Sequence, residues 1–235
     1  MKKIGILIFI VAIAAGIILA KMFSFGSLPA LNMPSISFFE KVKGSGNVVT
    51  EKRNVSEFTK VDVGGVFNVE IVAGKEQSVE VEADDNLLPL ITTRVNGETL
   101  RIESEKRFST RSRLTVRISA PNIERLDLSG ASNAVVSNVE NEELVLDLSG
   151  ASRVKVSGKT GNLTLDMSGA CKIDAGELSA GHVNVDGSGA SRATVNVLEE
   201  LIADLSGASK VRYTGSPSNV QKNTSGGSSV SSQGE

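Results

Sequence analysis

Five aspartates, Asp127, Asp147, Asp166, Asp186 and Asp204, occupy the same place in a recurring phrase. That phrase reads LDLSGAS from Leu126 to Ser132 and again from Leu146 to Ser152, then LDMSGAC from Leu165, VDGSGAS from Val185 and ADLSGAS from Ala203. If the aspartates stack on an outer surface, neighbouring carboxylates about 5 Å apart repel by roughly 1 kcal/mol in water. Solvent screening together with the basic series Arg153, Lys172, Arg192 and Lys210, one per rung six residues after Asp147, Asp166, Asp186 and Asp204, is one way to offset this. The sharper alternative is an external ion ladder in which calcium bridges the five aspartates, since hard cations take oxygen ligands. The calcium-binding nonapeptide of β-rolls is absent, so the expectation is no metal and no cofactor.

Paired carboxylates also perform acid and base catalysis in sugar-cleaving enzymes. Here the acids recur with the repeat, whereas a catalytic pair would be a local departure from it. No nucleophile and base set is visible, and Tyr213 is the only aromatic from residue 122 to 214. The expectation is therefore a protein without catalytic residues. His182 falls on the outward phase of GHVNVDG, where a lone histidine is usually solvated, and Cys171 takes the place of a corner serine. The serine columns, Ser129, Ser149, Ser168, Ser188 and Ser206 with Ser132, Ser152, Ser191 and Ser209, are read as hydroxyls that satisfy backbone groups at tight bends.

The phrase glycines fall at 130, 150, 169, 189 and 207, giving steps of 20, 19, 20 and 18 residues. A fixed period near twenty indicates a solenoid. Alternation of period two, as in Leu144, Leu146 and Leu148 against Val145 and Asp147, makes the units strands rather than helices. Each corner is then built by Ser129 and Gly130, Ser149 and Gly150, Ser168 and Gly169, Ser188 and Gly189, and Ser206 and Gly207. Glycine reaches backbone angles closed to other residues, and small neighbours let successive corners stack.

Upstream, VDVGGVFNVEIV, SVEVEA, TLRIES and RLTVRISAP alternate as strands, Asn96-Gly97 marks a hairpin, and Asp84 to Ile91 has room for one short helix. Residues 1–22 read as a signal peptide or a retained signal-anchor: Lys2 and Lys3 precede an uncharged stretch from Ile4 to Ala20. Residues 23–43 read as a linker, 44–215 as the solenoid domain with repeats over about 122–214, and 216–235 as a disordered Ser/Gly-rich tail. A single cysteine excludes an intrachain disulfide. A formal net charge of −2 without a basic run argues against nucleic acid as a partner.

Three features together, NVSEFTKVDVGGVFNVEIV from Asn54 to Val72, DDNLLPLITTRVNGETLRIES from Asp84 to Ser104, and the serial LDLSGAS units, resemble the head GIN domain family of auto-transporter adhesins. The resemblance spans about Val48 to Gly215 and implies an all-β, right-handed β-helix of the bacterial cell envelope with an adhesin-like role. It implies no catalytic residues. The expected function is a non-enzymatic, envelope-tethered β-solenoid that binds a surface glycan or protein. The alternatives are a structural scaffold with a protein partner, or a polysaccharide-acting β-helix enzyme. The expected location is extracytoplasmic, attached to the membrane through the N-terminal segment or released by its cleavage. Strand edges at Val211 to Thr214 would invite self-association at the solenoid end.

Overall fold

A computed structural model describes residues 41–233. The signal peptide or anchor over 1–22 and nearly all of the linker over 23–43 lie outside the described residues. Among the described residues no helix is long and apolar enough to cross a membrane.

The chain forms a β-solenoid whose rungs hydrogen-bond in parallel register, phrase upon phrase. Each phrase ends one strand and turns the corner into the next, as from Arg125–Gly130 into Asn133–Leu148. The long strands Asn133–Leu148, Arg153–Met167, Lys172–Gly187 and Arg192–Leu205 therefore each begin on one wall and finish on the other, with register shifts where they bend. Inward residues form files. Val61, Leu126, Leu146, Leu165, Val185 and Ala203 stack on the first wall, and Val69, Ala134, Val154, Ile173, Ala193 and Val211 on the second, all buried. Gly187 interrupts an interior file because the Leu205 side chain occupies its space; a Cβ there would lie 2.8 Å from Leu205 Cδ2.

The corner accounts for the phrase. In the described chain each corner glycine has positive φ, from 74° at Gly207 to 96° at Gly169 among the five phrases. A Cβ on any of them would strike the carbonyl oxygen of the glycine one rung below. That carbonyl accepts a hydrogen bond from the alanine that follows the glycine above, as from Ala170 N to Gly150 O at 2.8 Å. The second serine turns inward and is buried: the Ser152 hydroxyl donates to Ser149 O at 3.1 Å, and the Cys171 thiol repeats this with Ser168 O at 3.2 Å.

Two further rungs precede the first phrase. Lys60–Gly65 and Asn68–Ala73 make one, lying on Thr99–Ser104 and Thr115–Ala120, which make the other. Antiparallel strands Ile91–Asn96, Ser78–Asp84 and Val48–Lys52 complete this end, and the first is joined to Thr99–Ser104 by the expected Asn96-Gly97 turn. The short helix expected over Asp84 to Ile91 is a single 3-10 turn, Leu88–Leu90, because Pro89 supplies no backbone donor.

Two boundaries differ from the sequence reading. Val42–Lys43 already pairs with Phe108–Ser109, so the domain begins before Gly44. The segment expected to be disordered holds strands Asn219–Thr224 and Ser229–Ser232, a further rung on Arg192–Leu205 and Lys210–Gly215. Its sequence, NTSGGSS, is a polar copy of the phrase, and Gly226 takes the corner position with φ 71°. Val220 and Val230 alone pack against the core. This rung needs little apolar content of its own because its neighbour templates its backbone. This rung also covers the edges at Val211 to Thr214.

Candidate functional site

The parallel register turns a sequence period into two charged columns. On the first wall Asp127, Asp147, Asp166, Asp186 and Asp204 stand directly above one another. The column is longer than the phrase count suggests, because Asp62 pairs in register with Asp127 and Asn223 with Asp204. Asp62 belongs to KVDVGG, a worn copy of the phrase in which Gly64-Gly65 stands for Ser-Gly.

Countercharge is concentrated at the lower end. Arg101 Nε lies 3.6 Å from Asp62, and the Arg125 guanidinium donates to both Asp127 at 2.7 Å and Asp147 at 3.0 Å. At the upper end the Asn223 amide donates to Asp204 at 3.1 Å. Asp166 lies between. Partial burial, followed by the Asp147 and Asp186 carboxylates on either side, raises its carboxyl above the ordinary value. Among the described residues no three His, Cys, Asp or Glu side chains converge to hold a metal ion. The aspartates stand in single file, one per rung, which is a geometry of repulsion rather than of a coordination shell.

A raised folded-state value fixes the sign of a prediction. Asp166 adds stability that is fully present below its unfolded value and lost as pH rises through its folded value, so at neutral pH it is a cost. Asp166→Asn should therefore raise the melting temperature at pH 7 by about 1–2 °C, corresponding to about 0.5 kcal/mol once solvent screening is allowed for. The gain should shrink in high salt and at acid pH in thermal melts. A lower melting temperature at pH 7 would show that the aspartate makes a favourable contact there.

Arg153, Lys172, Arg192 and Lys210 form the second column, in direct register, on the far side of the corner. The sequence reading made them the countercharge of the aspartates. The structure corrects this: the corner turns the chain between the two columns, and no ion pair among the described residues joins them. All four are exposed, and none takes part in an ion pair among the described residues. Asn133 lies below the column and Ser229 above it. Adjacent cations a rung apart, about 4.8 Å, repel by about 1 kcal/mol in water before screening.

Elsewhere, His182 Nε2 lies 3.6 Å from Glu199 on the rim of an open recess of about 640 Å³ floored by Gly161 and Gly181. The Cys171 thiol is buried, and its desolvation raises its value above the ordinary one, which disfavours the reactive thiolate. The outward serines Ser129, Ser149, Ser168, Ser188 and Ser206 flank the aspartate column two residues on.

This architecture has relatives. Residues 57–217, more than half of the chain, match the family described as "Putative auto-transporter adhesin, head GIN domain". The chain belongs to the head GIN domain family. No curated protein matches it. Among solved structures, a "putative adhesin" from Bacteroides fragilis NCTC 9343 is similar at 22% identity and a TM-score of 0.67, covering 81% of this chain and 99% of its own. A "putative adhesin" from Parabacteroides merdae ATCC 43184 is similar at 19% identity and a TM-score of 0.55, covering 82% and 98%. At these identities the likeness shows the fold. Membership in the head GIN family agrees with an adhesin-like protein of the cell surface or exterior.

Proposed function

We propose that this head GIN domain is a non-enzymatic binding module, tethered to the cell envelope by its N-terminal segment, that engages a surface macromolecule along its solenoid walls. The observation that carries this reading is the exposed basic column. A regular, rung-by-rung array of side chains without ion pairs offers a surface to an extended ligand rather than a pocket to a small one. The adhesin label of the family supports the same role.

The test is a screen of the full chain, in nonionic detergent, against a glycan array and isolated cell-wall polymers. Saturable binding to one polymer is the expected result. Binding to none, with specific retention of a single envelope protein instead, would favour the scaffold reading. Cleavage of a bound polysaccharide would establish an enzyme.

A further inference from the structure

We infer that the column Arg153, Lys172, Arg192 and Lys210 is a binding site for a linear acidic polysaccharide, one bearing a carboxylate or sulfate on successive sugar residues, laid parallel to the solenoid axis. This rests on the adhesin reading and names the ligand class and the wall that takes it.

The first support is how the column is held. Each cation begins the strand after a corner, and its backbone N–H is tied to the rung below: Arg153 to Ser132 O at 2.9 Å, Lys172 to Ser152 O at 3.0 Å, Arg192 to Cys171 O at 2.9 Å and Lys210 to Ser191 O at 2.9 Å. The spacing of the four charges is thus set by the β-ladder, about 4.8 Å per step. One step is close to the rise per pyranose residue of an extended chain, and the long Arg and Lys side chains can swing to either flank of the polymer to follow acid groups that turn from residue to residue.

The second support is the contrast with other cations of the domain. Arg117 is engaged by Glu82 and Glu70, Arg125 by two aspartates, Lys155 by Glu177 and Lys60 by Glu98. The four column residues face water with no ion pair among the described residues: the five phrase aspartates stand on the other wall, and Asp174, in the next file of the same wall, pairs with none of them. Two residues further along the same strands a second file, Lys155, Asp174, Thr194 and Arg212, runs in register beside the column: the Lys155 ammonium is held by Glu177 and Asp174 lies next to it, while Thr194 and the exposed Arg212 extend the surface with a hydroxyl and a cation that makes no ion pair among the described residues. Asn133 and Ser229 close the column at either end with neutral hydrogen-bonding groups suited to sugar hydroxyls.

Other polyanions fit less well. Single-stranded nucleic acid is held by aromatic platforms that stack its bases, and Tyr213 is half-buried against the core. An anionic bilayer is a plane, met by broad basic patches with apolar side chains to insert. The column is narrow, and among the described residues Val135 is the one large exposed apolar side chain in the file beside it.

The experiment measures binding of the full chain in nonionic detergent to polygalacturonate, chondroitin sulfate, neutral galactan and anionic phospholipid vesicles, across a salt series. The expected result is saturable binding to one or both acidic polymers and not to galactan, weakening as salt rises. Binding to polygalacturonate would show that carboxylates suffice, whereas binding to chondroitin sulfate alone, which carries both groups, would assign recognition to sulfate. Replacement of all four residues by glutamine should weaken binding by about 20-fold or more, at two- to fivefold per exposed charge, with the melting temperature not lowered. Asp186→Asn should bind as the parent does. Equal binding by the four-glutamine variant, equal binding to galactan, or stronger binding to vesicles would each overturn the inference while leaving a binding module in place. Salt-sensitive self-association that consumes both columns would overturn it too, since the two columns share a pitch. Binding to no surface polymer of any charge would remove the adhesin reading together with it.

Discussion

Gly169→Ala should lower the melting temperature of the domain by about 10 °C, with Gly176→Ala, seven residues away, nearly silent. Gly169 has φ 96°, and a Cβ there would lie 2.5 Å from Gly150 O. The obstacle is backbone, so no rotamer change relieves it. Gly150 O is also the acceptor for Ala170 N, and retreat of the upper corner would break that bond and open the rung. Left-handed strain in a residue other than glycine costs about 1–3 kcal/mol, and the steric displacement adds a comparable amount. A total of about 3–4 kcal/mol in a domain of this size corresponds to roughly 10 °C. Gly176 has ordinary φ, and its nearest would-be neighbours are side-chain atoms 3.6 Å away, so it accepts a methyl group. Thermal unfolding of the two variants side by side is the check. If both melt with the parent, stacking of corners is not what keeps SGA in every phrase.

The same corner explains what could be read before the structure. Wherever two rungs stack with nothing between them, the corner must be glycine and its flanks small, and this strict demand repeats at each period. The rung of Asp62 escaped notice because residues 74–124 intervene between it and the next, breaking the period although the KVDVGG pattern was present. The last rung escaped for the opposite reason. Its spacing continues the series through Gly226, but its Ser- and Gly-rich composition points to disorder. Templating by a neighbouring rung lowers the apolar content a strand needs, and composition does not register that. The separation of acidic and basic columns was not legible from spacing: six residues along a straight strand would put Asp147 and Arg153 on one face, and only the turn at Gly150 carries them to different walls. Burial of a single carboxylate in the non-repeating part, Asp84, had no periodic pattern to reveal it.

Asp84→Asn should cost about 2 kcal/mol and about 5 °C at pH 7, and the deficit should narrow as the pH falls. Asp84 is fully buried where the chain enters the domain. The Ser112 and Thr110 hydroxyls and the Gly46 N–H hold its carboxyl below the ordinary value of 3.8, and Thr110 Oγ1 lies 2.6 Å from Oδ2. Gly44 passes so close that a Cβ would collide with the carboxylate. Next to it, Asp85 accepts from Ser45 Oγ at 2.6 Å and Asn47 Nδ2 at 2.9 Å, so the pair ties residues 44–47 to the strand end at Ser78–Asp84. An amide at position 84 keeps an acceptor for Thr110 but loses the charge that strengthens this bond, and it puts a buried N–H donor in place of Oδ1, beside the Gly46 N–H, which cannot accept. A lowered folded-state value means stability present above the unfolded value and lost as pH falls through the folded one. Parent and variant should therefore converge below about pH 4 in thermal melts, the reverse of the slope removed by Asp166→Asn. A deficit that stays constant down to the acid limit would assign the loss to packing rather than to the carboxylate's charge. Because this junction fastens residues 44–47 to the strand end, Asp84→Asn should additionally speed proteolytic cleavage there while the solenoid rungs remain protected.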